Sequence, residues 1–542
     1  MKLWSFNRIL RALVVCLSLG GMLAAQSGFQ SALAASSQPP ATPVERLKLV
    51  SNRFFTSGQA AALGGGAGNS NYTRGESRHL FWTPDADVVG ARVIVCNWGT
   101  SNTGEFDGAN NIVAAEALET TGTGAASYYF RWGSSGTSTT VTPGNCNTSD
   151  PLPFTLSRNT QYWQRSSRVV NSGETFIMTV SNWATGEGGF NSTSASTQLA
   201  ATGAMTNPGG GASNGGGIMP AALIGYTMRN GKFVDLPAVW GNGDSIAFGL
   251  GPNTASDGLG NNGYVSRGVY QCTAGGATLA HFGGYKPSDQ ANANLIATGP
   301  KKRLIMRYAT HALFENMSND FANGQTLAQG QASAIELWTE ARRNGLKVWN
   351  TTITPKTTSN LALLTLPTIA AGGTGYAASS TFNVTVAGGS VASGGSASVV
   401  SVTTNSSGVV TTVNSVVTAG LYNNTGIPSS TNSPTGGTGS GLSLTLTYSG
   451  FFDAANQFYA TNFDPGGIAD QYNQWLFAQV GQGLLDGVID VAAQVRDPAF
   501  PMKWKSNGTG NYYTRDGTHF ETVATVDVAV NRIAPWCRQI SP

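Results

Sequence analysis

The pattern of apolar and polar positions changes along the chain. In residues 40–235, apolar positions alternate with polar ones, as at Phe176, Met178 and Val180, between clusters of Gly, Ser, Thr and Asn. A period of two is typical of strands that bury one face. We therefore expect an N-terminal all-β domain at 40–235, either a sandwich or a jelly roll.

From residue 236 onward, short apolar segments alternate with segments of helical spacing. The pattern predicts strands at 238–240, 264–270, 346–353 and 488–491, and helices at 331–343, 475–485 and 523–533. Strands that alternate with helices indicate a parallel sheet covered on both faces, with its site at the carboxyl ends of the strands. We expect such an α/β domain in two parts, 236–356 and 451–542.

A segment without charge separates these two parts. No Asp, Glu, Lys or Arg occurs between Thr357 and Phe452, and apolar residues alternate with polar ones at 381–386 and 442–446. The alternation predicts an inserted Gly/Ser/Thr-rich β module at 357–450, although a disordered linker is the alternative. Its composition resembles the Gly-rich β repeats of phage fibres and bacterial surface proteins.

Two short motifs suggest chemistry. Gly243-Asp244-Ser245 follows a predicted strand, and Asp516-Gly517-Thr518-His519 lies near the C-terminus. A serine hydroxyl needs a base that works near neutral pH, and the imidazole needs a carboxylate to orient it. Ser245, His519 and Asp516 are therefore the candidate nucleophile, base and orienting acid. The alternative interpretation is an ordinary turn and a helix N-cap.

Residues 236–356 and 451–537 resemble the SGNH (GDSL-type) hydrolase family in these motifs. Gly243-Asp244-Ser245 matches the first block of the family, and Asp516 with His519 matches the last. The resemblance implies a three-layer α/β/α parallel sheet. It also implies hydrolysis of a carboxylic ester through an acyl-serine intermediate on Ser245.

The same resemblance implies an oxyanion hole with three donors. These are the backbone N–H groups of Ser245 and Gly276 and the side-chain amide of Asn319, and Gly275 is the alternative to Gly276. One residue departs from the family pattern, because Met317 stands where the family usually has glycine before Asn-Asp.

The N-terminus and the cysteines predict export. Basic residues precede an apolar run and an Ala-Leu-Ala site, which predicts a signal peptide at 1–34, with an uncleaved anchor as the alternative. Four cysteines follow it, and an even number in an exported chain suggests two disulfides. We favour Cys96 with Cys146 and Cys272 with Cys537, because each pair then lies within one predicted domain; free buried thiols are the alternative.

Composition and spacing limit the function further. Charged residues make up only 11% of the chain and the net charge is +3, so no basic stripe for nucleic acid is expected. The cysteines and histidines have no metal-site spacing, and the predicted reaction uses no cofactor. After the signal peptide no segment is predicted to span a membrane.

Together these features predict a secreted serine esterase that removes O-acetyl groups from a polysaccharide. A lipase or arylesterase is the first alternative, and a surface-binding protein with a hydrolase scaffold is the second. The sequence assigns neither an oligomeric state nor the acyl preference.

Overall fold

A computed structural model describes residues 46–541 of the 542-residue chain, apart from 54–57, 63–71, 102–103, 122–124, 134–135, 180–184, 207–216, 252–262, 273–278 and 296. The predicted signal peptide at 1–34 lies outside these residues.

The N-terminal part consists of strands. In chain order they are β1 (Lys48–Leu49), β2 (Gly58–Ala62), β3 (Arg74–Trp82), β4 (Asp87–Cys96), β5 (Trp98–Ser101), β6 (Gly104–Asp107), β7 (Ile112–Glu119), β8 (Ser127–Tyr129), β9 (Thr139–Val141), β10 (Cys146–Thr148), β11 (Gln161–Val169), β12 (Ile177–Thr179), β13 (Gly188–Ser192), β14 (Ala222–Arg229) and β15 (Lys232–Phe233).

Two antiparallel sheets dominate this part. One has the order β1-β14-β4-β10, with β15 on β14, and the other has the order β13-β3-β11-β7-β8, with β9 on β7. Residues of both sheets meet in a single apolar cluster, among them Val93 and Leu223 from the first sheet and Phe81 and Leu118 from the second. The alternation in the sequence therefore corresponds to strands with one face in a shared core.

The remaining strands follow in chain order. They are β16 (Ala238–Gly243), β17 (Ala280–Tyr285), β18 (His311–Glu315), β19 (Lys347–Thr351), β20 (Thr357–Ser359), β21 (Thr368–Thr374), β22 (Thr381–Thr385), β23 (Val399–Thr404), β24 (Val410–Thr418), β25 (Thr431–Asn432), β26 (Ser440–Thr445), β27 (Gln457–Tyr459) and β28 (Gly487–Ile489).

The α-helices of the described residues all lie after residue 240. They are α1 (Ser245–Phe248), α2 (Tyr264–Tyr270), α3 (Ser318–Ala322), α4 (Leu327–Arg343), α5 (Ile468–Gln479), α6 (Val491–Val495), α7 (Thr522–Val528) and α8 (Ala534–Ile540). Short 3₁₀ segments occur at Ala291–Asn294, Lys302–Tyr308 and Ala454–Asn456, and a π-helical turn at Ala529–Ile533 joins α7 to α8.

Five strands form a parallel sheet in the order β17-β16-β18-β19-β28. Alternate residues of its strands enter different apolar clusters, because successive side chains of a strand point to opposite faces. Trp240 packs in a cluster with Leu49 and Ile224, so strands of the N-terminal sheet share the core of this face. Val239 packs on the other face with residues of α2 and α7.

The inserted segment forms two small antiparallel sheets, β21-β26-β25 and β22-β23-β24, around a cluster that includes Leu363, Val400 and Leu444. The ends of the segment meet, since the backbone N–H of each of Ala362 and Ser449 donates to the other residue's carbonyl at 3.0 Å. Outside them, β20 pairs with β27.

The predicted fold class, a three-layer α/β/α parallel sheet of SGNH type, is wrong. The protein is mostly β: strands make up 35% of it and helices 19%, and every sheet of the described residues except one is antiparallel. The parallel sheet is small, with strands of three to six residues. The physical reason is that most of the segments with alternating apolar residues lie outside the motifs, and these segments form antiparallel strands. One of the resulting antiparallel sheets shares a core with the parallel sheet.

One predicted strand is also wrong, because residues 264–270 form helix α2. The aromatic and β-branched content of this segment favours a strand, but helical spacing buries Tyr264, Val265 and Val269 together. Gly268 explains the close packing, since a side chain there would collide with Ile533.

Two disulfides join Cys96 to Cys146 and Cys272 to Cys537, the pairing favoured from the sequence. Within the part of the chain that the structure describes, every helix is too short or too polar to cross a membrane. The disulfides are compatible with a secreted or extracellular protein.

Candidate active site

Ser245 lies at the carboxyl edge of the parallel sheet. Strand β16 ends at Gly243, and Ser245 is the first residue of α1. The Asp244 carboxylate caps this helix by accepting the Ile246 N–H at 2.8 Å, and the Asp244 N–H donates to a Glu315 carboxylate oxygen at 2.9 Å. The turn that carries Ser245 is therefore held to the end of the neighbouring strand β18.

The base and the orienting acid come from the loop before α7. The Ser245 Oγ atom lies 2.8 Å from His519 Nε2, and His519 Nδ1 lies 2.6 Å from an Asp516 carboxylate oxygen. The other Asp516 oxygen accepts the backbone N–H groups of Thr518 at 2.9 Å and His519 at 2.8 Å. The structure thus brings the three predicted residues into one hydrogen-bonded row.

Electrostatics decide the direction of these hydrogen bonds. Partial burial of Asp516 favours its neutral form, but the hydrogen bonds from the His519 ring and from two backbone N–H groups outweigh it and lower the pKa of Asp516 to about 2. An ionised carboxylate can only accept, so His519 Nδ1 must donate to it. In the neutral imidazole, Nε2 is then the acceptor for the Ser245 hydroxyl.

The loop that carries the pair is fastened at Gly517. This glycine has φ +77°, a side chain there would collide with the Thr357 carbonyl, and the Gly517 carbonyl accepts the Thr357 N–H at 3.0 Å. The Thr514 hydroxyl donates to the His519 carbonyl at 2.8 Å. These contacts hold in place the loop that carries the imidazole.

A buried pair of acids lies behind the nucleophile. Burial, the largest cause, raises the pKa of Asp244 to about 7. Burial raises the pKa of Glu315 well above its usual range as well, and the charge of Asp244 adds to this effect. Because two like charges in one buried site are unfavourable, the pair retains a proton at neutral pH. Glu315 belongs to none of the sequence motifs and was not predicted as a residue of the site.

Asn319 lies beside Asp244, but its amide already has partners. Its Nδ2 atom donates to an Asp244 carboxylate oxygen at 3.2 Å and to the Asp289 carbonyl at 3.1 Å. The role of Asn319 as an oxyanion donor stays a prediction.

The other two expected oxyanion donors are backbone N–H groups. Gly276 and its alternative Gly275 lie outside the described residues. No hydrogen bond of the described residues uses the Ser245 backbone N–H, which is therefore available to a developing oxyanion.

Met317, the departure from the family pattern noted in the sequence, has a backbone conformation that suits glycine. It precedes α3 with φ +86°, in the left-handed region that favours glycine, and its side chain is only 2% exposed. A backbone conformation that favours glycine is therefore occupied by methionine at this position.

Lys356 was missed by the sequence reasoning. It follows β19 by five residues and is half-buried near the row of Ser245, His519 and Asp516. Burial lowers the pKa of Lys356, while the charges of Asp244 and Asp516 oppose this change. Two signals pointed to it: it follows a predicted strand of the parallel sheet, and it is the last charged residue before the long uncharged segment.

Comparisons with known proteins add little to this geometry. No family model matches the chain, and no curated protein matches it. Among solved structures it is similar to protein YxiM from Bacillus subtilis, at 8% identity and TM-score 0.21, over 59% of this chain and 73% of that one. The salicylyl-acyltransferase SsfX3 of a tetracycline biosynthetic pathway gives 10% identity and TM-score 0.20 over the same shares. TM-scores this low support no argument about fold or function.

Proposed function

We propose that this protein is a secreted serine esterase that hydrolyses carboxylic esters through an acyl-Ser245 intermediate. The observation that carries the proposal is the continuous row of hydrogen bonds from Ser245 Oγ through the His519 ring to the Asp516 carboxylate. Nucleophile, base and orienting group at these distances are the arrangement that activates a serine hydroxyl.

The hydrogen bonds support the following order of proton transfers. Ser245 Oγ attacks the ester carbonyl carbon while its proton moves to His519 Nε2, and Asp516 stabilises the imidazolium that forms. The imidazolium then protonates the departing alkoxide, which leaves as an alcohol. A water molecule attacks the acyl-serine with His519 as base, so that the acid is released and the Ser245 hydroxyl is restored.

The tetrahedral intermediate carries a negative charge that needs donors. The Ser245 N–H is unused among the described residues, and the predicted partners are the Gly276 N–H and the Asn319 amide. Loss of one such donor typically costs about 2.7–4 kcal/mol of transition-state stabilisation.

The proposed substrate is an O-acetylated polysaccharide. Signal-peptide character at the N-terminus and two disulfides support action outside the cytoplasm. The inserted antiparallel sheets pack around an apolar cluster of their own, which suits a module that contacts a polymer. A lipase or arylesterase remains the alternative within the same chemistry.

Hydrolysis assays test the proposal. We expect the protein to cleave p-nitrophenyl acetate, p-nitrophenyl decanoate or acetylated xylan, and Ser245→Ala to abolish turnover with an unchanged circular dichroism spectrum. A fluorophosphonate probe should label Ser245 with loss of fluoride, as seen by peptide mass spectrometry. Ser333→Ala, which changes a buried serine on α4, is the matched control. Turnover that survives in Ser245→Ala would refute the assignment, and the relative rates on the three esters choose among the substrates.

A further inference from the structure

The site contains a cation, Lys356, whose ammonium group forms no ion pair within the described residues. Two lysines buried elsewhere have acidic partners, because Lys48 pairs with Asp235 and Lys302 lies 3.5 Å from Asp289. By contrast, no hydrogen bond or ion pair in the described part of the chain uses the Lys356 ammonium group. The charges of Asp244 and Asp516 act on this group from beyond ion-pair distance. The N–H groups of the half-buried ammonium therefore have no acceptor among the described residues, and leaving them unpaired is unfavourable.

The backbone places Lys356 against the loop of the base. The next residue, Thr357, donates its N–H to the carbonyl of Gly517, which lies between Asp516 and His519. The Lys356 carbonyl accepts the Ala460 N–H at 2.9 Å. Lys356 is therefore held between the base loop on one side and the segment around residue 460 on the other.

The side chain of Lys356 lies near a buried aromatic ring. Its Nζ atom lies 5.7 Å from the centre of the Phe463 ring, which is fully buried. The neighbouring Asn462 donates to the Phe321 carbonyl at 2.9 Å, and Phe321 belongs to the same short helix as Asn319. The ammonium group also lies close enough to Asp244, which accepts from the Asn319 amide, and to Asp516, which accepts from the His519 ring, for both charges to act on it.

We propose that Lys356 binds a carboxylate carried by the substrate, so that this enzyme prefers acidic esters to neutral esters of the same size. The inference rests on the esterase function proposed above. The carboxylate can belong to the acyl part, as in a half-ester of a dicarboxylic acid, or to the alcohol part, as in an O-acetylated polyuronate. In both cases the ammonium supplies a charge-assisted hydrogen bond inside a partly dehydrated site.

Two substrate pairs distinguish the two sources. For the acyl part, p-nitrophenyl hemiglutarate is compared with neutral p-nitrophenyl 5-oxohexanoate. For the alcohol part, O-acetylated polygalacturonate is compared with its carboxyl-reduced polymer, acetylated to the same degree. The quantity measured is the ratio of kcat/KM for the acidic ester to that for the neutral one, because this ratio is insensitive to a general loss of activity.

We expect the wild type to prefer the acidic member of at least one pair, and Lys356→Met to lower that ratio by at least about tenfold. The loss should be mainly in KM, and Lys356→Arg should retain most of the preference. The matched control is Lys347→Met, which removes an exposed lysine at the opposite end of β19.

Three results would overturn the inference. The first is a wild type that prefers the neutral member of both pairs. The second is a kcat/KM ratio for Lys356→Met within about twofold of the wild-type ratio. The third is an equal fall in the kcat of Lys356→Met on acidic and neutral esters, which would indicate a role at the oxyanion. If Lys356→Met does not fold, Lys356→Gln and the wild-type preference decide the question. Absence of any Ser245-dependent turnover would instead refute the esterase function itself.

Discussion

Met317 provides a test of how the motif backbone is stabilised. Its left-handed conformation costs a non-glycine residue about 1–2 kcal/mol, which Met317→Gly would relieve. The same substitution removes a side chain that is 2% exposed and lies with its sulfur near Gly330 of helix α4. Removing a buried methionine side chain costs about 2–5 kcal/mol. Packing therefore outweighs strain, and we expect Met317→Gly to be less stable than the wild type.

The comparison with alanine isolates the backbone contribution. Met317→Ala loses nearly the same packing but keeps the strain, whereas glycine loses about 0.4–1 kcal/mol through the entropy of the unfolded chain. Glycine should therefore be the more stable of the two variants by up to about 1.6 kcal/mol. The expected order of stability is wild type, then Met317→Gly, then Met317→Ala.

Thermal unfolding followed by circular dichroism measures this order. The control is Met306, a fully buried methionine in the 3₁₀ segment Lys302–Tyr308 whose φ is not positive. At that position alanine should be more stable than glycine, the reverse of the order at Met317. If alanine is also the more stable variant at Met317, the left-handed backbone contributes no strain and the reasoning fails.

Three further predictions concern the site and the insertion. Asp516→Asn should lower kcat by about 10³–10⁴-fold with little change in KM, because an amide can donate to His519 Nδ1 and so favour the wrong tautomer; steady-state kinetics with unchanged kcat would contradict this. Above about pH 4 the buried acids Asp244 and Glu315 hold more protons in the folded chain than in the unfolded one, so their contribution to the free energy of unfolding falls as the pH rises from about 4 through about 7. Glu315→Gln should reduce the corresponding fall in Tm, and an identical pH profile would count against the shared proton. Replacing residues 362–449 with a short Gly/Ser linker should leave kcat on p-nitrophenyl acetate within about tenfold, whereas a larger loss in a folded variant would assign the insertion a catalytic role.

The three residues of the hydrogen-bonded row could be predicted to lie together, because the chemistry of such a row restricts the choice of residue types. A serine after a strand and a His three residues after an Asp are specific signals in a chain with four histidines. The supporting residues were less accessible. Glu315 and Lys356 are ordinary charged residues in the sequence. Only the packing around them shows that Glu315 is buried and Lys356 half-buried.

The fold class could not be predicted from the motifs, because they involve few residues. Most residues lie in segments whose pairing depends on distant partners. Strands β3, β7 and β11 illustrate this difficulty: Arg165 and Glu116 are fully buried in their sheet, where charged residues are rarely found. Arg165 is paired with Glu119 at 2.7 Å and Glu116 with Arg168 at 2.6 Å, contacts that no local pattern indicates.

The position of the insertion follows from the way the base loop is held. Thr357 contacts Gly517 directly, and its strand β20 pairs with β27 beyond the insertion. Both strands therefore belong with the site, although the boundary expected from composition lay at residue 357. The small sheets begin only after residue 362, where the chain ends meet at Ala362 and Ser449. A deletion within these two residues leaves the support of His519 intact, whereas one that includes Thr357 removes it. Loss of activity after the longer deletion alone would therefore reflect the base loop and not the inserted sheets.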